Sequence, residues 1–212
     1  MTEAEWLTCA SCSPMLAFVT HRSSQRKLRL FAVACCHRVR RLLPEPEGTK
    51  SVDVAERLAD GLATNAERRA AAVTTGRGPA SYTVAVNAYE AAVAVARQTA
   101  TALADTYRKD GDAVGPEWDL RRNDELSAQA ALLRCIFGNP FRPVTLDPSW
   151  RTSTVVALTE GIYADRAFDR LPILADALQD AGCDNEDVLA HCRAGGPHAR
   201  GCWVVDLLLG KE

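Results

Sequence analysis

Apolar positions recur at three- and four-residue spacing along almost the whole chain, which predicts helices rather than strands. Thr2-x-x-Glu5 reads as a capping box opening a short helix that ends before Ser13. Ser13-Pro14 starts a second, with proline in the first turn, where no amide hydrogen is needed. The clearest stripe, Leu28, Phe31, Ala32, Cys35, Val39, Leu42 and Leu43, predicts a helix over about 24–43, stopped by the proline-rich stretch at 44–48. A helix over about 50–62 and another capped by Thr64-x-x-Glu67 follow, before a break at Gly76, Gly78 and Pro79. Tyr82, Val86, Tyr89, Val93, Ala96, Ala100, Leu103 and Tyr107 then mark one long alanine-rich helix of about 28 residues, expected to be a central packing element.

Asp110-Gly111-Asp112 has the start of a calcium loop but lacks its sixth-position glycine and terminal glutamate, so that reading is rejected. Pro116 opens the next helix, which runs to Phe137 before Gly138. Residues 137–150 carry three prolines and cannot be helical, while Phe141, Val144, Leu146 and Trp150 can anchor the stretch as an ordered connector. Helices over about 152–163, 172–181, 185–193 and 199–209 complete the chain. Asp184-x-x-Asp187 caps the third of these, and Trp203, Val204, Leu207 and Leu208 form the apolar face of the last. The expected fold is all-α: a compact multi-helix array over 1–136, a proline-rich connector over 137–150 and a helical subdomain over 151–212.

Three blocks resemble an uncharacterised bacterial paralogue family: Phe-Gly-Asn-Pro-Phe-Arg-Pro-Val-Thr-Leu-Asp-Pro at 137–148, Ala-Phe-Asp-Arg-Leu-Pro-Ile-Leu-Ala-Asp-Ala-Leu-Gln-Asp-Ala-Gly-Cys at 167–183, and Gly-Cys-Trp-Val-Val-Asp-Leu-Leu-Leu-Gly at 201–210. The opening Met-Thr-Glu-Ala-Glu-Trp-Leu and the Arg-Lys-Leu-Arg-Leu-Phe-Ala stretch look similar to it too. The resemblance implies relatives; it implies no activity and no catalytic residue.

Composition narrows the function classes. With 47% hydrophobic and 25% charged residues, the chain has the makings of a folded core. Twenty-five basic residues against 27 acidic ones exclude a uniformly basic nucleic-acid wrapper. A local patch survives that exclusion. Helix 24–43 has no acid between Arg22 and Arg41, and Arg26, Arg29, Arg38, Arg40 and Arg41 could neutralise phosphates. The plainer reading is that these arginines pair with acids elsewhere in the chain. No apolar run approaches the ~18 residues of a membrane span, and the acidic start of the chain does not resemble a secretory signal. A cytoplasmic protein with an unidentified protein partner is the expectation.

Thiol and imidazole groups are the conspicuous chemistry. All but Cys135 of the eight cysteines and four histidines fall in residues 1–37 and 183–202. In a reducing compartment such clustering points to metal ligation more than to disulfides. The leading set is Cys183, His191, His198 and Cys202, whose two sulfurs and two imidazoles would close a tetrahedral structural zinc site. Gly195-Gly196-Pro197 supplies the turn between the histidines, and packing and helix capping are the competing explanation. A second set is Cys9, Cys12, Cys36 and His37, with Cys35 and His21 close by, and a mixed set would join Cys9 and Cys12 to His198 and Cys202. Enzymatic readings are weaker. Cys36 and His37 are adjacent but point about 100° apart on a helix, and Asp165/Asp169 and Asp176/Asp180 fit solvated helix faces. The expected function is therefore a non-enzymatic helical interaction or regulatory module stabilised by zinc. Nucleic-acid binding is the alternative, and a thiol- or metal-dependent enzyme the third reading.

Overall fold

Side-chain caps fix where the helices start. The computed structural model describes residues 1–74, 78–108 and 115–211, among which there are twelve α-helices and no strand. At α1 (Glu3–Thr8) both halves of the capping box form: the Glu5 amide donates to Thr2 Oγ1 at 3.3 Å and the Thr2 amide to Glu5 Oε2 at 2.7 Å. α2 (Cys12–Val19) begins just ahead of Ser13. α3 (Gln25–Arg38) is capped by Ser24, and a 3-10 turn over Arg40–Leu42 replaces the expected last turn. α4 (Glu47–Ala59) leads to α5 (Asn65–Thr74), whose Thr64–Glu67 box has the Thr64 amide donating to Glu67 Oε2 at 2.7 Å. α6 (Pro79–Thr83), α7 (Ala88–Asp105) and α8 (Pro116–Phe137) follow. Gly76 and the Asp110-Gly111-Asp112 sequence lie outside the described residues.

The chain divides into two compact units, Met1–Leu133 and Arg134–Glu212. In the first, α3 packs against α7 and α4. Every residue of α3 from Leu28 to Cys36 is buried, so it is enclosed on all sides rather than amphipathic. The single helix expected across Tyr82–Tyr107 is two. Arg29, itself buried, donates to the carbonyls of Thr83 at 2.6 Å and Ala85 at 2.9 Å, which holds those oxygens in a turn. Asn87 then caps a new start by accepting from the Tyr89 and Glu90 amides. The buried face of α7 is also not the aromatic stripe. Val86 and Val93 are exposed, while Ala88, Ala91, Ala92, Val95, Ala96, Thr99, Ala100 and Ala104 are buried, and these small side chains let α3 approach closely.

Polar side chains of α8 complete this unit. Glu125, 1% exposed, takes a two-pronged contact from Arg38, with Nε–Oε1 at 2.9 Å and Nη2–Oε2 at 2.9 Å. One turn on, buried Gln129 donates to the Ala96 carbonyl at 3.1 Å and Thr99 Oγ1 at 3.0 Å, and accepts from Cys12 Sγ at 3.4 Å. Four helices thus share one satisfied hydrogen-bond network.

The second unit holds α9 (Ser153–Asp165), α10 (Leu171–Asp180), α11 (Glu186–Arg193) and α12 (Trp203–Leu209). Its core is Val155, Ile162, Leu171, Leu174, Leu178, Val188, Val204, Val205 and Leu208. Trp150 joins that core, and Val144 and Leu146 pack against it, so three of the four expected connector anchors serve this unit; Phe141 stays 37% exposed. α10 packs on α9 and α11, and Arg193 bridges back to Asp176 and Gln179. The cap of α11 is Asn185, which accepts from the Val188 amide, and not Asp184. The last helix starts at Trp203 rather than near 199, leaving residues 194–202 as a loop. No helix among the described residues is long and apolar enough to cross a membrane.

Candidate metal centre

Loop 194–202 matters because it folds back on the helix ends around it. Cys135 lies in the last turn of α8, which Gly138 ends at φ +64°, its amide donating to the Arg134 carbonyl at 2.9 Å. A Cβ at Gly138 would stand 3.1 Å from Trp203 Cγ, so only glycine gives both the left-handed turn and room for the indole. The Trp203 ring in turn lies 5.4 Å from that of His191, at the end of α11. Beyond Arg193 the chain reverses, and His198 meets His191 edge to face at 5.0 Å between centroids. Gly201, at φ +92°, then delivers Cys202 to the cap position of α12. Arg200 pins the loop to α9: its guanidinium donates to the Tyr163 carbonyl at 3.0 Å and stacks 4.7 Å over the Tyr163 ring.

Cys135, His191, His198 and Cys202 are thereby gathered, with one ligand atom from each lying within 4.8 Å of all the others. Both cysteines are buried and both histidines half-buried. His191 Nε2 stands 3.2 Å from Cys202 Sγ, and His198 Nδ1 stands 3.6 Å from Cys135 Sγ. A zinc tetrahedron with bonds of ~2.3 Å to sulfur and ~2.0 Å to nitrogen has sulfur–nitrogen edges of about 3.5 Å. The two observed separations bracket that edge. His198 Nε2 lies 3.1 Å from the Ala194 carbonyl. A carbonyl only accepts, so Nε2 carries the proton and Nδ1 presents its lone pair to the centre, the outer hydrogen bond typical of a ligating histidine.

The four groups shift one another's titration. Burial alone would raise the Cys202 thiol, but hydrogen bonds with Cys135, His191 and His198 outweigh it and draw the group well below a free thiol's value. Cys135 moves the other way, raised first by its hydrogen bond to Cys202 and then by burial. Burial lowers His198, yet its bonds to Cys202 and the Ala194 carbonyl leave it raised. The same contacts that draw Cys202 down thus hold His198 up, so the charges in the cluster are set by its own members. A dication there would hold both sulfurs as thiolates and both imidazoles neutral.

Three members of the leading sequence set, His191, His198 and Cys202, are brought together; the fourth, Cys183, is not. It is buried where the chain leaves α10, its amide donating to the Leu178 carbonyl, and its place in the group is taken by Cys135. Spacing along residues 183–202 could not reveal a ligand that lies before the connector, at the end of α8. The available signal was that Cys135 is the one thiol outside the terminal clusters and ends a helix just before a glycine stop.

The second set does not assemble. Among the described residues no group containing Cys9, Cys12, Cys36 and His37 comes together as ligands. Cys9 Sγ donates to the Ser11 carbonyl and Cys12 Sγ to Gln129, while burial pushes the Cys12 thiol up to about 11 and that of Cys36 to about 12. Cys12 and Cys36 are buried and pack as small apolar groups. Of the mixed set, His198 and Cys202 are in the ligand group, while Cys9 and Cys12 are not among its members. Asp165, Asp169, Asp176 and Asp180 are all exposed.

The basic helix is largely committed. Arg29 holds backbone carbonyls, Arg26 pairs with Asp60 at 3.1 Å and Arg38 with Glu125, which leaves Arg40 and Arg41 as the exposed members of the expected phosphate-binding face. No protein-family model, curated protein or solved structure matches the chain.

Proposed function

We propose that the chain is a non-enzymatic helical interaction module whose C-terminal unit is locked by one structural zinc on Cys135, His191, His198 and Cys202. The gathering of four soft or borderline donors within 4.8 Å carries this reading. Two thiolates and two imidazoles neutralise a dication, and four protein ligands fill a tetrahedral ion, leaving no position for water or substrate. That is the chemistry of a clasp.

The clasp has mechanical sense. α9 to α12 are 7 to 13 residues long, and helices of that length are marginal by themselves. One ion would tie the end of α8 to the end of α11, the 194–202 loop and the start of α12. The resemblance of three sequence blocks to a bacterial paralogue family fits the same picture, since they comprise the helix stop after Cys135, the α10 segment and the Cys202 turn. The test is elemental analysis of protein purified without a metal-affinity tag. One zinc per chain is expected, with chelation lowering the midpoint of thermal unfolding by roughly 10 °C or more. Protein free of zinc, yet equally stable before and after chelation, would refute it.

A further inference from the structure

We infer that the same four-ligand centre is a peroxide-sensitive clasp, in which Cys135 and Cys202 join as a disulfide and release the metal. This rests on the zinc reading above and deepens it to the regulation of the site. The two sulfurs belong to one ligand group and lie within 4.8 Å of each other, the proximity that a disulfide between them needs. They come from opposite ends of the second unit's sequence, one before the connector and one at the cap of α12. His191 and His198, both half-buried, form the side of the cluster nearest solvent, and a small uncharged hydroperoxide would approach past them.

The chemistry balances. The sulfur of Cys202 attacks one oxygen of hydrogen peroxide; the sulfur–oxygen bond forms, the oxygen–oxygen bond breaks, and hydroxide leaves to become water on taking a proton. Cys202 is then a sulfenic acid. Cys135 attacks that sulfur, the disulfide forms, and the second hydroxide leaves as water with another proton. Two thiolates, one peroxide and two protons give one disulfide and two waters. Each sulfur has lost one electron and the peroxide has gained two. With both thiolates consumed, only two imidazoles remain to hold the ion, and they are too few for a structural zinc.

The experiment treats zinc-loaded full-length protein with hydrogen peroxide, follows free zinc with a colorimetric chelator and maps disulfides by mass spectrometry of digests. The expected result is one zinc released per Cys135–Cys202 disulfide, regained on adding dithiothreitol and zinc. C183S and C192S should release zinc with the wild-type time course. Zinc retained while peroxide oxidises other thiols overturns the inference and leaves the structural zinc standing. Zinc lost through sulfinic acids, or through a disulfide to Cys192, overturns it in the same way. Protein lacking zinc before any peroxide is added overturns both readings at once.

Discussion

At the residue scale, the most consequential side chains are polar ones inside helices. Glu125 is almost fully buried, and its charge is tolerable because the Arg38 guanidinium lies against both oxygens while Gln129 donates to Oε1 at 3.2 Å. Removing one partner strands the other, which costs more than the pair itself is worth. Because Arg38 remains about a third exposed, the full buried-pair penalty is not expected. Arg38→Ala should lose about 2–3 kcal/mol in urea denaturation, and adding Glu125→Gln should restore part of it. A loss within experimental error would show that the network contributes little. The same scale explains why the basic stripe misleads as a phosphate-binding surface. A run of arginines looks alike in sequence whether it faces solvent or, like Arg29, collects backbone carbonyls in the interior.

At the element scale, local chemistry is legible and tertiary chemistry is not. Thr2–Glu5 and Thr64–Glu67 cap as their spacing indicates, Pro116 opens α8 and Gly138 closes it, because each of these signals acts within one turn of the chain. The break between α6 and α7 is different in origin. Residues 80–107 have no glycine or proline, and the turn depends on Arg29, more than fifty positions earlier. Cys135 eludes spacing arguments for the same reason: its neighbours in the site are fixed by the loop closure over 194–202, not by intervals along the chain. Gly138 joins the two kinds of information, ending a helix locally while seating Trp203 against its bare α-carbon. Gly138→Ala should therefore destabilise the second unit by about 1–3 kcal/mol, through the left-handed backbone and the indole contact together. Thermal unfolding of the zinc-loaded protein would measure this, and an unchanged midpoint would contradict the packing described.

At the scale of the whole molecule, the two units are held by different means. The first buries a helix on all sides and knits α2, α3, α7 and α8 with one polar network. The second has short helices around a modest apolar core, with sulfur and imidazole groups converging at one end. The concentration of cysteine and histidine near the chain ends was visible in the sequence, but its two halves have different meanings. Of the early thiols, Cys12, Cys35 and Cys36 are buried in the first unit, and of the late ones only Cys202 joins Cys135 and the two histidines in a ligand set. The identity of the fourth ligand is the sharpest point of the account, and X-ray absorption at the zinc edge reads it directly. Wild-type protein should show two sulfurs at about 2.3 Å and two nitrogens at about 2.0 Å. C183S should leave that shell unchanged, and C135S should reduce it to one sulfur or abolish binding. A shell that loses its second sulfur in C183S and keeps it in C135S, or one built from oxygen, would contradict the centre assigned to Cys135, His191, His198 and Cys202.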